Sequence, residues 1–117
     1  MRRSHRPQLD VFRTEDPAEL VIVVEIPGAD PERFRVELDG TRLRISGDRP
    51  RPRVQDSVWY RSEIEYGAFE RELTVAVDVA VDGATATYER GLLRIVLPIA
   101  QRPPPPARVP IKVRRAG

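Results

Sequence analysis

The sequence predicts an all-β fold, a sandwich of two packed antiparallel sheets. Three observations carry that prediction. Aliphatic and β-branched residues alternate with charged ones at a period of two over several short runs. The pairs Asp39-Gly40, Asp82-Gly83 and Arg90-Gly91 punctuate these runs as turns. No segment carries a convincing apolar period of 3.6. At 117 residues and 40% hydrophobic content the chain has material for one small core and one domain.

Taken in order, residues 20–26 form a β-branched run short enough for a central strand, closed by the turn pair Pro27-Gly28. Asp30 and Pro31 predict a single helical turn, with Asp30 as cap and Pro31 at its first position. Phe34, Val36 and Leu38 alternate with charged residues up to Asp39-Gly40, and Leu43 and Ile45 form the returning arm of that hairpin. Residues 48–56 are charged and hold Pro50 and Pro52, which excludes an interior strand there. Residues 57–61 suit a short strand. Phe69, Arg71, Leu73 and Val75 alternate with Glu70, Glu72 and Thr74, and Ala84, Ala86 and Tyr88 alternate with polar residues before Arg90-Gly91. Leu93, Ile95 and Leu97 share one face of the next strand and Leu92 and Val96 the other, so it is expected to be covered on both sides until Pro98 stops it. Pro103, Pro104, Pro105 and Pro106 predict an extended polyproline spacer. Beyond it Val109, Ile111 and Val113 alternate on a polar tail with no core of their own, so they are either disordered or docked elsewhere.

Composition narrows the function. The chain has no cysteine, which rules out disulfides and thiolate metal sites and suits a reducing cytosol. No run is long enough to cross a membrane, and the basic residues 1–6 lack the apolar stretch of a secretory signal, so a cytoplasmic protein with no membrane partner is expected. The pI near 9.5 comes with a net charge of only +2. Arg2, Arg3 and Arg6, then Arg49, Arg51 and Arg53, then Lys112, Arg114 and Arg115 are separated by acidic residues, so no nucleic-acid partner is expected. An enzyme is hard to build: the one histidine, His5, lies in the terminal arm, and there is no nucleophile elbow or phosphate-binding loop. Glu63 and Glu65 stand near Arg61 and Arg71, where ion pairing is the simpler role. No catalytic residue, cofactor site or metal site is assigned.

The run from Ala86 through Gly91 to Leu93 resembles the A-x-x-x-n-G-x-L signature of the α-crystallin domain of small heat-shock proteins. Further motifs follow in the family's order: residues 7–12 as its leading strand, Ile26-Pro27-Gly28 with Asp30-Pro31-Glu32, the L-x-I-x-G strand at Leu43, Ile45 and Gly47, R-x-E at Arg61 and Glu63, and G-x-F-x-R at Gly67, Phe69 and Arg71. Two positions depart from the pattern: Val75-Ala76 replaces the usual L-P, and Ile99 stands where lysine often follows the last strand's proline.

The resemblance implies an immunoglobulin-like α-crystallin sandwich over residues 9–98, a short arm at 1–8, a dimerisation loop at 47–66 and a Pro-rich C-terminal extension at 99–117. In the bacterial and plant branch a strand from that loop crosses to a second copy, a remedy for an exposed sheet edge. Trp59 and Tyr60 are then the expected interface anchors, and Arg61, Glu63 and Arg71 the expected ion-pairing residues. A surface loop folded onto its own domain is the alternative. The tail motif, read as Val109/Ile111 or Ile111/Val113, is expected to dock in the groove of another copy, or else on its own domain. The implied partners are a second copy of the chain, larger homo-oligomers and partly unfolded client proteins. The implied function is that of an ATP-independent holdase. The alternative is a co-chaperone or adaptor sandwich that binds one folded partner. With at most eight residues before the first strand, natural or truncated, the resemblance implies weaker client holding than in long-armed relatives.

Overall fold

A computed structural model describes residues 6–100 and 108–116. Nine strands follow in order: β1 (Leu9–Thr14), β2 (Glu19–Glu25), β3 (Arg35–Asp39), β4 (Arg42–Arg49), β5 (Gly67–Thr74), β6 (Thr85–Glu89), β7 (Leu92–Pro98), β8 (Arg108–Ile111) and β9 (Val113–Arg115). One 3-10 turn, Pro31–Arg33, precedes β3, and Asp30 caps it by accepting a hydrogen bond from the Glu32 amide at 3.0 Å. The strands form a five-stranded sheet in the order β1-β2-β7-β6-β9 and a four-stranded sheet in the order β5-β4-β3-β8.

Neighbouring strands run antiparallel except β6 and β9, which pair in parallel. Within residues 9–98 the two sheets are antiparallel as expected, and only the tail strand β9 adds a parallel pair. The chain reaches β9 from the opposite sheet, with Lys112 alone separating it from β8, so no hairpin sets its direction. The loop also starts later than Gly47, because Asp48 and Arg49 continue β4 and pair with Ala68 and Gly67. Arg90 and Gly91 both take positive φ, 55° and 78°, as a two-residue hairpin of the mirror-turn type requires, which joins β6 to β7 at the register Glu89↔Leu92.

The core lies between the inner faces. Ile22 and Val24 of β2, Leu93, Ile95 and Leu97 of β7 and Ala86 of β6 meet Val36, Leu38, Leu43, Ile45 and Phe69 of the other sheet, all buried. Phe34 lies edge-on to both Phe69 (5.8 Å between centroids) and Tyr88 (5.0 Å), an arrangement that suits the ring quadrupoles. Tyr88 keeps its hydroxyl satisfied by donating to the Ile26 carbonyl at 2.8 Å. Gly47 is required by close approach: a Cβ there would stand 2.5 Å from Phe69 Cζ and 2.8 Å from Phe34 Cδ1.

The outer faces differ. On the four-stranded sheet, Arg44 Nε donates to Glu70 at 3.1 Å, Arg42 lies 3.6 Å from Glu72 and Arg108 3.8 Å from Asp39. The Glu70 carboxylate raises the Arg44 pKa by accepting its hydrogen bond and by its charge. On the five-stranded sheet an apolar row, Phe12, Val21 and Val96, runs across β1, β2 and β7. It hides Val21 fully but leaves Phe12 43% exposed. The outer side of β7 is therefore only partly covered, with Leu92 43% exposed, against the expectation of cover on both faces.

Candidate functional site

Two regions place the residues singled out in the sequence. The first is the groove at one side of the sandwich, between β3 and β6, the strands that would end the two sheets without the tail. The tail fills it. β8 lies antiparallel on β3, with Val109 opposite Leu38 and Ile111 opposite Val36, and β9 lies parallel on β6, with Val113 opposite Ala86. One segment thus adds a strand to each sheet and closes that side. Ile111 is 6% exposed and belongs to the core cluster; Val113 is half-buried and packs against it. Val109 is half-buried but not among the residues packed on the core, so the two inserted knobs here are Ile111 and Val113. Pro110 tolerates this position because β8 is an edge strand. Beside the tail a cleft of ≈ 530 Å³ is lined by Pro31, Phe34, Val36, Ile111, Lys112 and Val113, among others.

The second region is the opposite side. β1 and β5 end their sheets there, and among the described residues no segment pairs with their outer edges. Arg71, on the inner face of β5, donates to the Pro7 carbonyl at 2.7 Å and so ties the start of β1 to the other sheet. Its Nε is buried without a hydrogen-bond partner among the described residues. Arg71 does not join the pair expected with it: Arg61 and Glu63 meet each other at 2.9 Å on the exposed loop.

That loop, residues 50–66, contains no strand, so the short strand expected at 57–61 is not formed within a single chain. Its apolar side chains are turned outward instead of onto their own core. Val54 is 59% exposed, Val58 78%, Trp59 48%, Tyr60 98% and Ile64 62%. Five large apolar side chains thus lie exposed on one loop, more than the scattered single residues of an ordinary surface.

The sequence pattern of the Hsp20/alpha crystallin family matches residues 13–114. The chain belongs to this family. It is 35% identical over 120 residues to the 19.0 kDa class II heat shock protein of Oryza sativa subsp. japonica, covering 93% of this chain and 67% of that protein. With the 18.3 kDa class I heat shock protein of Oxybasis rubra it shares 34% identity over 93 residues, 78% of this chain and 58% of that one. The chain thus spans roughly three fifths to two thirds of the length of these relatives. Among solved structures, heat shock protein 16.0 from Schizosaccharomyces pombe superposes with a TM-score of 0.75 at 28% identity, over 93% of this chain and 77% of that chain. The all-β α-crystallin sandwich read from the sequence is therefore the fold of the molecule.

Among the described residues no group of three or more histidine, cysteine or acidic side chains is placed to hold a metal ion. No helix there is long and apolar enough to cross a membrane.

Proposed function

We propose that this small heat-shock protein is an ATP-independent holdase of the cytoplasm, which binds partly unfolded proteins and keeps them from aggregating. The observation that carries the reading is the tail in the groove. A short segment held by two edge strands and two apolar knobs is the part of the sandwich easiest to release. Its release uncovers Val36 and Ala86 together with two unpaired strand edges. A misfolding protein presents the matching features, apolar side chains and unpaired strands, and can occupy the same place by mass action. Chain tail and client then compete for one surface, and no nucleotide chemistry enters.

Two self-association devices accompany that role. The segment 57–61 reaches the unpaired edge of β1 in a second copy, and the reverse contact completes a reciprocal dimer in which Trp59 and Tyr60 are the anchors. Arg61 and Glu63 then pair at the rim of that interface, and Arg71 holds the start of β1 at its acceptor edge. The tail of one copy can also enter the groove of another, since exchange of an identical element makes the same contacts between chains as within one. The combination gives dimers and larger homo-oligomers.

The test is a mixture of the chain with a thermally unfolded protein, resolved by size-exclusion chromatography in the absence of nucleotide. Joint elution in a soluble complex supports the reading. A test protein that sediments while this chain stays behind in its unmixed form refutes it.

A further inference from the structure

The loop of residues 50–66 is organised from within, although it is exposed and forms no strand. The Arg51 guanidinium sits over the Trp59 ring, 4.0 Å from its centroid, and 5.7 Å from the Tyr66 centroid. Its Nη2 donates to Ser62 Oγ at 3.3 Å. One side chain near the start of the loop thus gathers Trp59, Ser62 and Tyr66 from its far half. Arg49, at the end of β4, holds the stem: its Nε donates to the Glu65 carbonyl at 2.7 Å and its Nη1 reaches the Pro27 carbonyl at 3.4 Å. A planar guanidinium can stack on an indole and donate in its own plane at once, which an ammonium cannot.

We propose that Arg51 is a positioning residue for self-association: it presets the arm so that residues 57–61 meet a second copy already ordered. This rests on the reciprocal dimer proposed above. The occupant follows from what Arg51 leaves open. Trp59 is covered on its Arg51 side yet remains 48% exposed, and its neighbour Tyr60 is 98% exposed. The unpaired edge of β1 lies on the same chain, so a second copy supplies the missing strand edge and receives the same in return. Ordering a loop only on contact costs backbone and side-chain freedom for each residue fixed. A preset arm has met part of that cost within the free chain. Arg51 lies outside the core cluster and outside every strand, so its removal leaves the sandwich intact.

The chain contains one tryptophan, Trp59, so tryptophan fluorescence, excited selectively over tyrosine, reports on this arm alone. The experiment compares wild type, Arg51→Ala and Arg51→Lys by sedimentation across a dilution series, and by Trp59 anisotropy decay in the dissociated chain. Arg51→Ala removes an exposed cation–π interaction from both arms of a reciprocal dimer, and so weakens the dimer by roughly 5- to 30-fold. Fast local motion of Trp59 rises in the same variant. Arg51→Lys keeps the charge but loses the planar stack, and falls between the two. Circular dichroism shows an unchanged sandwich in all three. A dimer whose dissociation constant is unmoved or tightened by Arg51→Ala, or a Trp59 whose motion is unchanged, overturns the proposal while leaving the dimer standing. A wild-type chain that is monomeric at every concentration overturns the dimer itself, and the proposal with it.

Discussion

Replacing the two tail knobs, Ile111→Ala with Val113→Ala, is the perturbation with the most informative outcome. Ile111 is 6% exposed inside the core cluster and Val113 is half-buried beside it. Counting each buried carbon removed at about 0.8 kcal/mol, and half of that at Val113, the pair of substitutions takes away about 3 kcal/mol of docking free energy. The effect is about a hundredfold on the open–closed equilibrium of the tail. Amide hydrogen exchange reads it directly. In wild type the amides of β8 and β9 exchange faster than those of β2 and β7, because the tail opens without unfolding the sandwich. In the double variant the β8 and β9 amides exchange about a hundredfold faster, up to complete loss of protection. Sedimentation of the same samples shows smaller assemblies where tails link chains. Equal protection of tail and central strands in wild type, or unchanged tail protection in the variant, would falsify the argument that this segment is a releasable clasp.

Other substitutions test the sandwich and the arm. Gly47→Ala places a methyl group 2.5 Å from the Phe69 ring, and overpacking of this kind costs about 1–3 kcal/mol. Thermal unfolding then falls by about 4 °C for each kcal/mol, whereas a Tm within a degree of wild type contradicts the close approach. Tyr88→Phe removes the 2.8 Å bond to the Ile26 carbonyl and lowers stability by about 1 kcal/mol in urea denaturation; a stabilised variant is the contrary result. Deleting residues 57–61 removes no described strand, so the sandwich stays folded while the solution mass of the dimer halves. Retained mass after that deletion places the interface elsewhere.

Most of the fold is legible in the chain because its signals are local. The alternation Phe34, Val36, Leu38 and the return Leu43, Ile45 fix which face of β3 and β4 is buried. Arg90-Gly91 fixes the β6–β7 register through the positive φ that its mirror turn needs. Asp30 and Pro31 likewise mark the 3-10 turn at its start. What the pattern leaves open is non-local. Nothing in the spacing of Val109, Ile111 and Val113 says that one segment serves both sheets, or that its second half runs parallel to β6. That depends on where the step across Lys112 lands the chain, between two edges of different sheets. The continuation of β4 through Asp48 and Arg49 is hidden for a related reason. Charged residues at a strand end look like loop until their partners Ala68 and Gly67 are known. The bracing geometry of Arg51 is equally silent, because a cation at position 51 and an aromatic at position 59 have no periodic relation in sequence.

The central claim, that this sandwich holds unfolding proteins without nucleotide, is tested most directly by light scattering of a heat-labile protein warmed with increasing amounts of the chain. Suppression of aggregation near stoichiometric ratios, with no ATP present, is the predicted result. Undiminished scattering at a several-fold excess of folded chain would contradict it and leave the groove and arm as devices for self-association alone.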